Sequence, residues 1–135
     1  MSAARPSVEG RAPTERMRAL CLRLPETTER LSHGEAAWFV QDKKNFATFA
    51  DHHHGDRVAV WLAAADGVQA ALTARDPGRY FRPPYVGTRG WVGAYLDGRD
   101  AEPDWDEIAE LLAEAWLNVA PARLRHLLER PDPPD

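Results

Sequence analysis

The side chains with the most chemical capacity sit in three places: a run of histidines, His52-His53-His54; the adjacent pair Ser32-His33; and an arginine- and aromatic-rich stretch from Arg79 to Leu96. Imidazole is a common ligand for zinc, nickel and copper. On an extended strand, however, neighbouring side chains point to opposite faces, so three consecutive histidines do not converge on one ion. The segment from Asp51 to Asp56, with Gly55, reads as a polar hairpin loop. A transition-metal site here would have to combine two of the histidines with Asp51 or His33, and no metal is expected. Ser32 and His33, as sequence neighbours, are badly placed to act as nucleophile and base, and no Gly-x-Ser-x-Gly elbow surrounds them.

Phosphate-cradling loops are missing as well: there is neither a Gly-x-x-x-x-Gly-Lys-Ser/Thr segment nor a Gly-x-Gly-x-x-Gly fingerprint, so no nucleotide cofactor is expected. The carboxylates Asp104, Asp106, Glu107, Glu110 and Glu114 lie opposite the apolar stripe of a predicted helix and read as its solvated face. The stretch from Arg79 to Leu96 differs in kind. It interleaves Arg79, Arg82 and Arg89 with Tyr80, Phe81, Tyr85, Trp91 and Tyr95. Arginine beside aromatic rings suits phosphates, stacked bases and other planar ligands. The same composition also fits a core of Phe81, Trp91 and Tyr95 rimmed by arginines. The chemistry on offer is binding, and the protein is expected not to be an enzyme.

Those residues need elements to position them. Thr14 is suited to cap a first helix in which Met17, Leu20, Cys21 and Leu24 share one face until Pro25 ends it. Short apolar or alternating runs follow, over Thr28 to Ser32, Ala37 to Gln41, Asn45 to Ala50 and Arg57 to Leu62, with polar breaks between them. This pattern predicts a meander of antiparallel strands. A second helix runs from Asp66 to Pro77, Arg79 to Pro84 reads as an extended rigid link, and Gly90 to Leu96 reads as a further strand. A last helix starts near Trp105, capped by Asp104 or Asp106, and restarts after Pro121. Helix, strands, helix, strand, helix is the order of an α+β domain rather than of alternating βαβ units.

At 135 residues the chain suits one domain with a real core. Residues 1–13 are expected to be a flexible arm, 14–128 the folded unit and 129–135 a disordered tail. Apolar content of 44% and charged content of 28% are those of an ordinary globular protein. No apolar run is long enough to span a bilayer, so no membrane association is expected. The single cysteine, Cys21, falls on the apolar stripe of the first helix; it excludes an intrachain disulfide and fits a cytoplasmic location. Nothing calls for an oligomer, and a monomer is the expectation. The net charge is −4. From Asp100 onward three arginines face ten acids, a balance of −7, whereas Arg30 to Arg99 holds nine basic and seven acidic residues, a balance of +2. A partner is therefore expected to engage the centre of the chain.

Leu-Pro-Glu-Thr-Thr-Glu at Leu24 to Glu29, the strand Trp38-Phe39-Val40, Lys43-Lys44-Asn45-Phe46-Ala47, and Pro84-Tyr85-Val86-Gly87-Thr88-Arg89-Gly90-Trp91-Val92 followed by Leu96-Asp97 together resemble the MmcQ/YjbR-like family. The resemblance covers Thr14 to about Leu128. It implies a CyaY-like arrangement, also described as a double wing: an antiparallel sheet with the N- and C-terminal helices packed on one face. Many members carry Asn-Lys before His-Trp where this chain has Gly87-Thr88-Arg89-Gly90-Trp91, so Arg89 stands in for the lysine and the histidine is lost to Gly90.

Members of the family are commonly labelled DNA-binding. On that reading a wing-like hairpin with Lys43 and Lys44, extended by Arg57, Arg79, Arg82 and Arg89, contacts phosphates weakly and in a salt-dependent way. The alternative is a module that stacks a small planar or drug-like ligand on a sheet face carrying Trp38, Phe49, Trp61, Tyr85 and Trp91. A protein-interaction domain using the same aromatic surface is the third reading.

Overall fold

The alternating runs after the first helix fold into consecutive antiparallel strands, the first three joined by tight turns whose residues take positive φ. The computed structural model describes residues 8–52 and 55–128. Helix α1 (Val8–Leu22) leads into β1 (Thr27–Ser32), β2 (Glu35–Val40), β3 (Lys44–Asp51) and β4 (Val58–Leu62). Helix α2 (Val68–Arg75), the two-residue β5 (Tyr80–Phe81), β6 (Val92–Tyr95) and α3 (Trp105–Val119) complete the unit. The six strands form one antiparallel sheet in the order β1-β2-β3-β4-β6-β5.

His33 and Gly34, at φ 53° and 82°, turn β1 into β2. Gln41 and Asp42, at φ 52° and 59°, turn β2 into β3. Paired positive φ values match the right-handed twist of the flanking strands. The register between β2 and β3 slips once, between Trp38 and Phe39: Trp38 faces Ala47 while Phe39 faces Asn45, which leaves Phe46 as an extra residue. Asn45 secures this bulge. Its Nδ2 donates to the carbonyls of Trp38 (3.0 Å) and Ala47 (2.9 Å), and its Oδ1 accepts from the Thr48 hydroxyl (3.1 Å). As a result both Phe46 and Ala47, neighbours in sequence, are fully buried.

Strand alternation then sorts the sheet into two faces. One face carries Trp38, Val40, Ala47, Phe49, Val58, Val60, Leu62, Val92 and Ala94 and packs with Met17 and Cys21 of α1 and Ile108, Leu111, Leu112, Ala115 and Trp116 of α3. Buried tryptophans need partners for their N–H groups. Trp116 Nε1 donates to the carbonyl of Pro25 (2.8 Å), and Trp38 Nε1 donates to Glu29 (2.8 Å), which also accepts from Arg18 (2.9 Å). The thiol of Cys21 lies in this core, where burial raises its pKa well above the ordinary value.

Three sequence expectations are corrected. Helix α1 begins at Val8, six positions ahead of Thr14, and includes Pro13; Thr14 is a buried residue within the helix, not its cap. The link from Arg79 contains a strand, β5, too short to show periodicity. Glu107 is not a solvated carboxylate: it accepts from the Tyr80 hydroxyl and pairs with Arg75 (2.6 Å), tying α3 to β5 and α2. Burial and that hydrogen bond raise the pKa of Tyr80, and the Arg75 guanidinium lowers that of Glu107. The cap of α3 is Asp104, whose Oδ1 accepts from Glu107 N (3.0 Å).

The tightest approach in the sheet is at Gly93, where an added Cβ would lie 2.3 Å from the ring of Phe81 on the neighbouring strand. Gly93→Ala is expected to cost about 1–3 kcal/mol by displacing that ring. Urea unfolding monitored by tryptophan fluorescence measures this, and a loss below about 0.5 kcal/mol would show that Phe81 moves aside freely.

Candidate functional site

Helices α1 and α3 cover one face of the sheet and α2 packs against the edge strand β5, so the other face must be finished by its own side chains. Phe39, Thr48, Ala50, Ala59, Trp61, Phe81, Gly93 and Tyr95 alternate onto it. Phe81 lies across Gly93 and stacks on Tyr95, with ring centroids 4.4 Å apart and planes 21° from parallel. The Arg57 guanidinium covers the other side of Tyr95, 3.6 Å from its centroid. Arg30 covers Phe39 in the same way, at 4.0 Å.

Two concavities open on this face. The first, of about 470 Å³, is lined by Asp56, Arg57, Trp61, Phe81, Arg82 and Tyr95 among others. The second, of about 530 Å³, is lined by Ser32, His33, Asn45, Thr48, Trp61, Tyr85, Val86 and Trp91. Trp61 belongs to both. Each volume falls in the range of small-molecule sites, and the mixture of aromatic walls with a few polar groups is typical of them.

The loop from Arg82 to Trp91 shapes the outer wall. Tyr85 stands at φ 61°, ψ −72°, and the N–H of Val86 donates to the carbonyl of Pro84 (2.7 Å). This is a γ-turn of the rare positive-φ kind, a strained conformation for a bulky residue. It leaves Tyr85 76% exposed. A short 3₁₀ helix, Val86–Arg89, follows and ends at Gly90 in the left-handed region. Gln69 of α2 anchors the loop, its Nε2 donating to the carbonyls of Gly87 (2.9 Å) and Trp91 (2.6 Å). Gly87 is needed because the stem of Arg82 lies on it: a Cβ there would meet Arg82 Cγ at 2.7 Å.

Of the aromatic candidates, Trp61, Tyr85 and Trp91 line the 530 Å³ cavity, the two tryptophans only 8% and 7% exposed. Trp38 and Phe49 do not join them. Trp38 is wholly buried on the helix side, with its N–H committed to Glu29, because the register of β2 places it opposite Ala47, and Phe49 is buried on the same side, opposite Val60.

The basic candidates are dispersed. Lys43 and Lys44 are exposed at the β2–β3 turn, and Arg89 lies beyond the same end of the sheet, 5.4 Å over the ring of Trp91. Arg57 sits at the opposite end of β3 and β4, on the order of 20 Å from Lys44 at ~3.3 Å per strand residue. It donates to Asp97 through Nε (3.0 Å) and Nη2 (2.6 Å) and to Asp100 (3.0 Å). Arg79 is paired with Asp76 (2.9 Å) and also donates to the carbonyl of Glu102 (2.7 Å). The expected continuous basic surface is therefore broken, since Arg57 and Arg79 are neutralised by carboxylates. Among the described residues no group of three His, Cys, Asp or Glu side chains is arranged to hold a metal ion. His52 pairs with Asp51 (2.5 Å), and His53 and His54 lie outside the described residues. No helix among the described residues is long and apolar enough to cross a membrane.

The architecture defines a class: an α+β domain with a six-stranded antiparallel sheet, helices on one face and an open aromatic second face. The YjbR family model matches residues 22–118, and the chain belongs to that family. Its fold is similar to that of the crystal structure of Deinococcus radiodurans protein DR2400, a domain designated DUF419. The TM-score is 0.66 at 19% identity, over 88% of this chain and 89% of that one. No curated protein matches the chain.

Asp97 locks the end of the open face. Its side chain is fully buried and accepts from Arg57, from Val58 N (3.2 Å) and from Arg99 N (3.1 Å). Burial alone would raise its pKa, but these donors outweigh it and hold the carboxyl at about 2, against an ordinary 3.8. A lowered native pKa stabilises the fold above the unfolded-state value, and that contribution disappears as the pH falls from about 4 to 2. At neutral pH it amounts to about 2 kcal/mol. Asp97→Asn is expected to lose that amount and to flatten the acid limb of stability in that interval. Urea midpoints measured from pH 2 to 7 test this, and an unchanged acid limb would assign the acid sensitivity to other carboxylates.

Proposed function

We propose that this protein is a non-enzymatic binding module that holds a planar aromatic ligand on the open face of its sheet. The observation that carries this reading is the pair of adjoining concavities sharing Trp61, walled by Phe81, Tyr85, Trp91 and Tyr95. Their polar groups are spoken for or isolated. Asn45 and Thr48 serve the bulge, Arg57 serves Asp97, and Ser32 and His33 make no hydrogen bond to one another. An active site needs a nucleophile or base with a partner that activates it. This face offers surfaces for stacking instead.

The DNA reading rests on Lys43, Lys44 and Arg89 at one end of the sheet. Three phosphate contacts would weaken duplex binding about 40-fold between 50 and 200 mM salt. The dispersal of the remaining basic candidates favours the ligand reading, and gel retardation of a 20-base-pair duplex at micromolar protein is expected to be absent even at 50 mM salt. Retardation with that salt dependence would assign the protein to nucleic acid.

For the ligand reading the probe is 2-naphthol, titrated against the full chain by ¹H–¹⁵N correlation spectra. Shifts are expected to concentrate at Thr48, Trp61, Tyr85 and Trp91. Tyr85→Ala, a change at an exposed side chain, is expected to weaken binding roughly fivefold, the loss of about 1 kcal/mol of ring contact. Shifts scattered over the helices, or affinity unaltered in Tyr85→Ala, would exclude this face as the site.

A further inference from the structure

We infer that the ligand of this face is anionic: a planar ring system bearing one carboxylate or phosphate, which Arg82 holds in the 470 Å³ cavity while the ring occupies the cavity of Trp61, Tyr85 and Trp91. The inference rests on the planar-ligand reading and adds the charge and orientation of what binds.

The argument begins with the balance of charge around the first cavity. Its lining contains three charged side chains, Asp56, Arg57 and Arg82. Asp56 is taken by Arg99, at 2.9 Å. Arg57 is taken by Asp97 and Asp100, at 2.6 and 3.0 Å. Elsewhere, Arg75 pairs with Glu107 and Arg79 with Asp76. Among the described residues no carboxylate pairs with Arg82, which is exposed and lines the cavity. In a chain whose acids outnumber its lysines and arginines by 21 to 17, a guanidinium left uncompensated in a concavity is the exception. Guanidinium carries its donors in a planar fork that matches the two oxygens of a carboxylate or phosphate.

Arg82 is also held in place. Its aliphatic stem lies on Gly87, where a Cβ would come within 2.7 Å of Cγ. Gly87 is fixed in turn by its N–H, which donates to the carbonyl of Pro83 (3.1 Å), and by its carbonyl, which accepts from Gln69 (2.9 Å). The same Gln69 amide holds the carbonyl of Trp91. One anchor on α2 therefore sets the cation of the first cavity and an aromatic wall of the second, which fixes the spacing between an anion and a ring. A prepositioned side chain loses less entropy on binding than a free one.

The experiment compares 2-naphthol, 2-naphthoate and 2-naphthyl phosphate by isothermal titration calorimetry against the full chain and against Arg82→Gln and Arg23→Gln. Arg23→Gln removes an exposed charge just beyond α1, and thermal midpoints verify that both variants are folded. We expect at least one anionic probe to bind about 10-fold more tightly than 2-naphthol, the worth of one charge-assisted pair. That advantage should vanish in Arg82→Gln, persist in Arg23→Gln, and leave the affinity for 2-naphthol unchanged in both. The better of the two anions identifies the oxyanion class. Equal binding of all three probes to the unaltered chain, or an anionic advantage that survives in Arg82→Gln, overturns the inference while the planar-ligand reading stands. Failure of all three probes to bind overturns both.

Discussion

A sheet with helices on only one side must dispose of its second face without a second layer, and most of the structure beyond the core answers to that constraint. The centre of the open face is kept low by Ala59 and Gly93. The rings of Phe81, Tyr95, Trp61 and Trp91 stand around it, and Arg57 caps the stack at one end. Aromatic rings remove much apolar area from water for few rotatable bonds, so they finish a bare face at low entropic cost. They also leave ledges. Covering made of rings rather than of a packed second layer does not interdigitate completely, and the two concavities on either side of Trp61 are what remains.

Electrostatics in this fold serves the frame first. Arg57, Arg79 and Arg99 each sit within reach of carboxylates placed close by in the loops, so a region that counts as mildly basic in sequence presents its remaining positive charge only at separated points such as Lys43, Lys44 and Arg82. Asp97 is the centre of this arrangement. Its carboxylate gathers two backbone N–H groups and a guanidinium at the point where β4 and the end of β6 meet. A buried carboxylate with so many donors defines geometry strongly, because no other placement satisfies them all.

Much of the architecture is legible in the residues themselves. The meander of β1 to β4 follows from alternation broken by His33-Gly34 and Asp42-Lys43, α3 from its apolar stripe behind Asp104, and the class α+β from their order. The start of α1 is not legible, since Pro13 ordinarily marks a helix boundary and the burial of Thr14 and Met17 outweighs it. β5 is too short to have a period. The aromatic richness of Arg79 to Leu96 marks a segment that lines both concavities, but membership of a face depends on register. Trp38 was lost to the core by the parity of β2. Arg57 and Arg79 were lost to acids distant or near in sequence that no count of charges reveals. Conversely, Arg82 stands among the candidates that the sequence offers, but what sets it apart from the other arginines, like the anchoring role of Gln69, depends on which neighbours pair with one another.

The bulge at Phe46 has a meaning for the open face that its place in the core conceals. An extra residue on one strand increases local coiling and bends the sheet, so the hollow in front of Thr48 and Trp61 owes part of its curvature to an event on the far side of the same strand. Asn45 touches both, satisfying the bulge through its amide and lining the cavity. The breadth of this face is thus a property of chain length in β3. A residue gained or lost there would reshape the hollow as surely as an exchange of the side chains that line it.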